Sequence, residues 1–259
     1  MLVNFFKTIY FFREYLKQSV ARDLRKRYKR SFLGYLWSML NPLFMMLILA
    51  IVFSNIMRVE MKDYAIYVLT GMTFWSFFNA TCIGSLGSIR ANAPILAQLP
   101  VPKYLFSIST AFSNLVDFFL AIVPLLFIIL VLQFTLPFSI LLLPVILLPI
   151  FMFTLGVAFI LAVLNVFFED TQHLTTVALQ ALYFLSPILY PAELLPEWVR
   201  GWIVLNPLFH LVEMMQAIFY HGQAPDWNQY AISCLVGFVT LLIGLWAFKV
   251  ADKKFVYYI

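Results

Sequence analysis

Two long stretches, Ser31 to Met57 and Tyr64 to Ile89, contain no charged residue, and between Lys103 and Glu169 the sole charge is Asp117. A bilayer core about 30 Å thick is crossed by roughly 20 apolar residues in a helix, so each interval is long enough to span. In lipid the backbone must satisfy its own polar groups, which favours helices. With 63% hydrophobic and 11% charged residues, against roughly 25% charged in soluble domains, the chain has too little polar surface to face water on all sides. A soluble enzyme, a disordered protein and a disulfide scaffold are excluded. The fold class expected is an all-α polytopic membrane protein.

The breaks between apolar runs predict six transmembrane helices, roughly 33–57, 64–88, 104–132, 138–168, 172–190 and 228–248. The net charge of +5 is uneven: residues 1–34 hold nine Lys/Arg against Glu14 and Asp23. Such a cluster suits an anionic membrane leaflet better than nucleic acid. With both termini cytoplasmic, fourteen of the seventeen basic residues lie inside, in line with the positive-inside rule. The expected location is the plasma membrane, the cytoplasmic (inner) membrane of a bacterium. No cleavable signal peptide is visible, because Lys7, Arg13 and Lys17 interrupt the first apolar stretch. One transmembrane domain, 1–259, divides into an interface helix (1–32), spans one to five (33–190), an outer hairpin (191–226) and the last span with its tail (228–259).

Residues 7–30 predict an N-terminal amphipathic interface helix, with Ile9, Phe12, Leu16, Val20 and Leu24 along one side. Arg25, Arg27, Lys29 and Arg30 are candidates for drawing a phosphate-bearing lipid to an entry site beside the first span; a simple topological anchor is the alternative. Segment 201–222 contains Pro207, His210, Glu213 and His221, poor residues for lipid contact, and predicts a re-entrant outer-leaflet helical hairpin broken near Asn206-Pro207. Asp117 shares a helix face with Thr110 and Asn114, a polar stripe facing either a pore or dimer seam or a neighbouring helix. His210 and Glu213, one turn apart, are expected to hydrogen-bond each other. Without further His or Cys nearby they do not make a metal site. Cys82 and Cys234 read as packed thiols.

The run RDLRKRYKRSFLGYLWSMLNP, from Arg22 to Pro42, closely resembles the opening of type-2 ABC exporter permeases of the O-antigen and teichoic-acid export family. GMTFWSFF (Gly71–Phe78), NAPILAQLPVP (Asn92–Pro102), Phe167-Phe168-Glu169-Asp170 with His173, and Ser186-Pro187-Ile188, Tyr190, Pro196 and Asn206-Pro207 follow in the family's order. The resemblance covers nearly the whole chain and departs at Glu169, where the family commonly has arginine.

This resemblance implies a homodimer of permeases docked on two cytoplasmic ABC ATPase subunits, exporting a polyprenyl-pyrophosphate-linked polysaccharide among membrane lipids. The chain has no G-x-x-x-x-G-K-[S/T] loop to hold nucleotide phosphates. It is therefore expected to be no enzyme and to carry no cofactor or metal, with ATP and Mg bound by the partner. Segment 90–103 is expected to form a small helix, ended by Pro100 and Pro102, that seats in the ATPase. The coupling residues expected are Asn92, Ile95, Leu96, Leu99, Glu169 and Asp170. A glycan path needs rings and exchangeable polar groups, for which Tyr35, Trp37, Phe74, Trp75, Phe78, Asn114, Asp117, Tyr183 and Tyr190 are candidates. Pro196, Asn206, Pro207, His210 and Glu213 are the outer-gate candidates. An ABC exporter permease for small hydrophobic compounds is the alternative within transport. An integral-membrane enzyme of lipid-phosphate metabolism is a more distant one, since the three histidines lie apart and no acidic cluster joins them.

Overall fold

A computed structural model of the chain describes residues 2–28, 34–57, 60–132, 138–252 and 254–255. The described residues form helices and turns. In chain order the helices are α1 (Leu2–Phe11), α2 (Arg13–Tyr28), α3 (Leu36–Met57), α4 (Met61–Leu86), α5 (Ser88–Ala91), α6 (Ala93–Leu96), α7 (Tyr104–Val131), α8 (Leu143–Phe167), α9 (Thr171–Phe184), α10 (Glu197–Ile203), α11 (Pro207–Phe219) and α12 (Trp227–Ala251). Short 3-10 turns cover Phe138–Leu142 and Ala192–Leu194.

Among the described residues five helical stretches are long and apolar enough to cross a membrane, Leu36–Ser54, Met61–Leu86, Tyr104–Val131, Phe138–Phe167 and Trp227–Ala251, and the bent pair Glu197–Ile203 and Pro207–Phe219 passes the same test taken together. The run expected as the span 172–190 does connect the end of the bundle at Glu169 to the opposite end at Tyr190, but not as one continuous helix. Its helix, α9, has 14 residues, about 21 Å of rise, which falls short of the roughly 30 Å hydrocarbon core. Pro187 brings no N–H to continue a helix, and the chain turns at Ser186 instead. Ile188 and Leu189 then tuck into the protein's own core. Helix α9 itself leaves Leu174, Val177 and Phe184 exposed, whereas residues 186–189 are buried against the bundle.

Helix α4 is the most enclosed of the five and α3 the least; α4 touches α3, α7, α8, α9 and α11. Close approach of α8 and α12 depends on glycine. A Cβ at Gly156 would lie 2.5 Å from Leu241 N, and one at Gly244 would lie 2.7 Å from Gly156 O, so backbones touch where small residues permit it. Within α8, Pro149 leaves the Val145 carbonyl without its helical donor. The Tyr230 hydroxyl of α12 reaches that oxygen at 3.4 Å.

Apolar side chains gather at two levels. One cluster surrounds α4 with Phe77, Phe78, Phe153, Ile188 and Met215. The other holds Phe5, Leu16, Phe106, Phe159, Phe248 and Phe255. Phe5 lies 6.5 Å from Phe159, and Phe255 5.8 Å from Phe167, so both chain ends meet at one end of the bundle. The predicted amphipathic helix is divided at Phe12 into α1 and α2. Its apolar residues Ile9, Phe12 and Leu16 pack against this cluster, on protein.

Candidate functional site

The basic residues of α2 follow from its placement. Its apolar side lies along α7, with the Tyr15 and Phe106 rings 6.3 Å apart and Ser109 Oγ donating to Asp23 Oδ2 at 3.4 Å. This leaves the cationic side outward, and Arg25, Lys26 and Arg27 in the last turn complement the helix dipole. A cavity of about 1230 Å³ opens there, lined by Lys17, Arg22, Arg25, Lys26, Tyr15 and Tyr35 among others, with no carboxylate among the described residues of its lining. Burial pushes the Tyr15 phenol above its ordinary value, so it stays a neutral hydroxyl among cations. The chemistry of this surface suits a phosphate or pyrophosphate.

The four predicted entry residues divide. Arg25 lines the large cavity, whereas Arg27 turns toward α7 and pairs with Asp117 Oδ2 at 2.5 Å. Lys29 and Arg30 lie outside the described residues. Asp117 Oδ1 also accepts from Ser38 Oγ at 3.3 Å. Arg27 and Lys26 line a second cavity, of about 400 Å³, with Ser88, Asn92 and Gln172.

The segment read as the coupling handle forms two four-residue helices, α5 and α6, ended before Pro100. Asn92 stands at their junction: its Nδ2 donates to Ser88 O at 2.7 Å and its Oδ1 accepts from Arg22 Nη2 at 3.3 Å. Ile95 and Leu96 are half-buried against the terminal cluster, and Leu99 is exposed. Arg90 bonds Glu169 Oε1 at 2.6 Å and Val166 O at 3.1 Å. The residue that departs from the family pattern thus has a cation from α5 as its partner. Asp170 begins α9, its carbonyl taking Leu174 N at 3.0 Å.

The path candidates separate by burial. Phe74 and Phe78 are enclosed in the core, stacked with centroids 6.3 Å apart, and Phe78 also stacks on Phe153. These two are corrected to packing residues, because a polymer has no access to them. Asn114 is likewise buried, donating to Thr81 Oγ1 at 3.2 Å, and Thr110 bonds its own helix at Phe106 O. The expected polar stripe is therefore split: Asn114 faces α4 while Asp117 faces α2 and α3. Trp75 and Tyr183 meet at 5.3 Å and remain partly accessible. Tyr190 OH donates to Phe184 O at 2.5 Å. Tyr35 and Trp37 are exposed at the head of α3.

At the opposite end, α10 and α11 meet at 95°. Pro196 precedes α10 and its carbonyl accepts from Val199 and Arg200 N, both at 3.0 Å. Pro207 opens α11, where an absent N–H costs nothing. Asn206 caps that helix, its Oδ1 taking Leu208 N at 3.0 Å while its Nδ2 reaches Ser186 Oγ at 3.2 Å. The expected bond between His210 and Glu213 is corrected: His210 Nε2 sits 2.9 Å from Val204 O, and Glu213 accepts from Gln229 Nε2 at 2.6 Å.

Sequence reasoning missed Tyr64, Tyr67 and Gln216. Tyr64 OH donates to Leu189 O at 2.7 Å, Tyr67 OH lies 2.7 Å from Pro187 O and 2.9 Å from Tyr190 O, and Gln216 Nε2 donates to Pro187 O at 2.9 Å. Polar side chains beside a proline-broken apolar segment were the available signal. A cavity of about 410 Å³ adjoins them, lined by Tyr67, Glu193, Glu213, Gln216 and His221 among others. Among the described residues no group of three metal-ligating side chains forms.

A family model described as ABC-2 type transporter matches residues 14–220. The O-antigen export system permease protein RfbA of Myxococcus xanthus is 30% identical over 257 residues, 98% of each chain. The protein of the same name from Klebsiella pneumoniae is 29% identical over 236 residues, 90% of each chain. The polysialic acid transport protein KpsM of Escherichia coli is 26% identical over 244 residues, 90% of this chain and 91% of that one.

Proposed function

As the chain belongs to the ABC-2 type transporter family, we propose that it is the permease subunit of an exporter moving a polyprenyl-pyrophosphate-linked polysaccharide outward across the bacterial inner membrane. The observation that carries the substrate class is the similarity, over 98% of both chains, to an O-antigen export permease. The large cavity beside α2, cationic and without carboxylates among its described lining residues, supports an anionic headgroup as the part recognised first. Two permeases assemble as a homodimer, and the exposed apolar face of α3, with Phe44, Leu47, Ile48 and Ile51, faces lipid or the second copy. Two separate ATPase subunits supply energy.

In this reading the end carrying both termini is cytoplasmic. ATP-driven closure of the ATPases presses on α5 and α6 and on the exposed Leu99. The Arg90–Glu169 pair and the Arg22–Asn92 bond pass that displacement to the α8–α9 turn and to α2. At the far end α10 and α11 form the outer gate as a re-entrant hairpin. Sugar hydroxyls exchange hydrogen bonds along Trp75, Tyr183 and Tyr190, with Tyr35 and Trp37 at the entrance.

The test is deletion of the gene in its own host. Lipid-linked glycan should accumulate in the cytoplasmic leaflet while surface polymer disappears, and a plasmid copy should reverse both. Normal surface polymer in the deletion strain would refute the reading. Accumulation of a small hydrophobic compound instead would reassign the substrate.

A further inference from the structure

We infer that Asp117 is a positioning residue that ties the last turn of α2 to the first turn of α3 and surrenders Arg27 to the phosphate of an incoming polyprenyl diphosphate. This rests on the lipid-linked substrate proposed above. One carboxylate holds both helix ends: Arg27 from the last turn of α2 at 2.5 Å, and Ser38 from the first turn of α3 at 3.3 Å. Between them Gly34 takes a left-handed backbone, with φ +49°, a conformation that favours glycine.

The placement of the pair makes it consequential. Helix α7 has 28 residues, about 42 Å of rise, longer than the roughly 30 Å core. Asp117 lies 13 residues into α7 and meets α3 at Ser38, two residues into the apolar stretch Leu36–Ser54, so the pair sits at the edge of the spanning region. A charge left unpaired there carries a cost, so Arg27 leaves the carboxylate for another anion. Phosphate offers a guanidinium the same paired oxygens as a carboxylate.

The side chains of Arg27 and Asp117 are 38% and 22% exposed, so a headgroup can reach the pair. Lys26 lines both the large basic cavity and the smaller one that holds Arg27. A phosphate drawn in by Lys17, Arg22 and Arg25 therefore passes Lys26 to Arg27. Asp117 keeps its bond to Ser38, and the last turn of α2 loses its ion-pair tether to α7 while Tyr15, Leu16 and Asp23 still hold the rest of the helix.

The experiment uses the full chain in phosphatidylcholine nanodiscs, with or without polyprenyl diphosphate, and reads lipid affinity together with amide exchange over α2. Parallel arms carry phosphatidylglycerol or soluble inorganic pyrophosphate. Polyprenyl diphosphate should speed exchange in the last turn of α2 of the unmodified chain. Asp117→Asn should speed it without ligand and tighten binding about tenfold, since the competing charge-assisted bond is gone. Replacing the pair with Arg27→Met and Asp117→Leu should keep α2 protected, because apolar side chains of similar volume can substitute for an ion pair, and should abolish the response. That double variant also controls for folding.

Unchanged exchange and affinity in Asp117→Asn, or a lipid response surviving in the double variant, would overturn the inference. An equal response to phosphatidylglycerol or pyrophosphate would overturn the carrier lipid as the ligand. Binding of polyprenyl diphosphate with no change in α2 would sink this inference alone. Failure of the unmodified chain to bind it would sink the substrate reading and the inference with it.

Discussion

Gly156→Ala tests how the two longest-contacting helices are joined. The added Cβ would sit 2.5 Å from Leu241 N, 2.5 Å from Thr240 C and 2.7 Å from Thr240 O. All three are backbone atoms, so no side chain can swing aside. Reaching ordinary contact at 3.4 Å requires α8 and α12 to part by about 0.9 Å. A gap of that size forfeits about a quarter to a half of each dispersion contact. Over a patch equal to one leucine, with about 40–60 contacts of about 0.1–0.2 kcal/mol, the loss is about 2–3 kcal/mol. Alanine returns up to about 1 kcal/mol of helix propensity, leaving a net cost of about 1–2 kcal/mol, while Gly156→Leu should cost more. The assay is thermal unfolding of the purified chain in detergent, followed by the remaining monodisperse fraction. Gly201→Ala in α10, where a Cβ meets nothing within 4 Å, should melt at or above the unmodified chain. If Gly156→Ala and Gly156→Leu both match that control, the α8–α12 seam does not have the close backbone contact described.

Three further outcomes are expected. Ile95→Asp with Leu96→Asp, and separately the exposed Leu99→Asp, should leave the chain folded by size-exclusion profile while abolishing transport-coupled stimulation of the ATPase; intact stimulation in Leu99→Asp would remove it from the docking surface. Asn206→Ala should cost about 1 kcal/mol for the lost cap and about 0.5–1.5 kcal/mol for the lost bond to Ser186, seen as faster amide exchange across 206–212, whereas Ser186→Ala should show only the smaller part. Glu169→Arg should barely change stability, since a pair this exposed contributes about 0–1 kcal/mol, but should lower transport by setting two cations together. Adding Arg90→Glu should restore it, and a double-mutant cycle without coupling would show that the pair transmits nothing.

What the sequence made legible is what solvation makes unavoidable. Charge-free runs long enough to cross a bilayer became helices because no other backbone arrangement is tolerated in lipid. The break at Asn206-Pro207 was equally readable, since an amide cap followed by proline marks a helix start. The end of the fifth run was not. Hydropathy assigns the same value to Ile188 and Leu189 whether they meet acyl chains or the protein's own core, so the buried turn after α9 passed for a continuation of its helix. Ring identity failed for a related reason: Phe74, Trp75 and Phe78 share one stretch, yet burial takes two of them out of reach of any ligand. Asp117 shows the intermediate case. A lone carboxylate between Lys103 and Glu169 demands a partner, and this could be read. That the partner is Arg27, ninety positions away, is a property of how α2 lies on α7.

The same logic explains why the chain can leave helical structure at Ser186. A non-helical turn among apolar helices exposes carbonyls that lipid cannot satisfy. Here the carbonyls of Pro187, Leu189 and Tyr190 are met by Tyr64, Tyr67 and Gln216, each from α4 or α11. The donors are as necessary to the break as the proline is. Since α4 is also the helix that continues into α5 and the segment proposed to couple to the ATPase, one end of it holds the turn while its other end leads to Arg90 and Asn92. A displacement of α4 along its axis therefore has a direct mechanical consequence at both places. At one end it moves Arg90, the cation that binds Glu169. At the other it withdraws the hydroxyls that hold the turn beneath α11, and the turn can release only if water or a sugar hydroxyl takes their place. In the proposed outer gate, exchangeable hydrogen bonds would yield at low cost to a polyhydroxyl substrate and at high cost to an apolar one, in keeping with the glycan cargo proposed above.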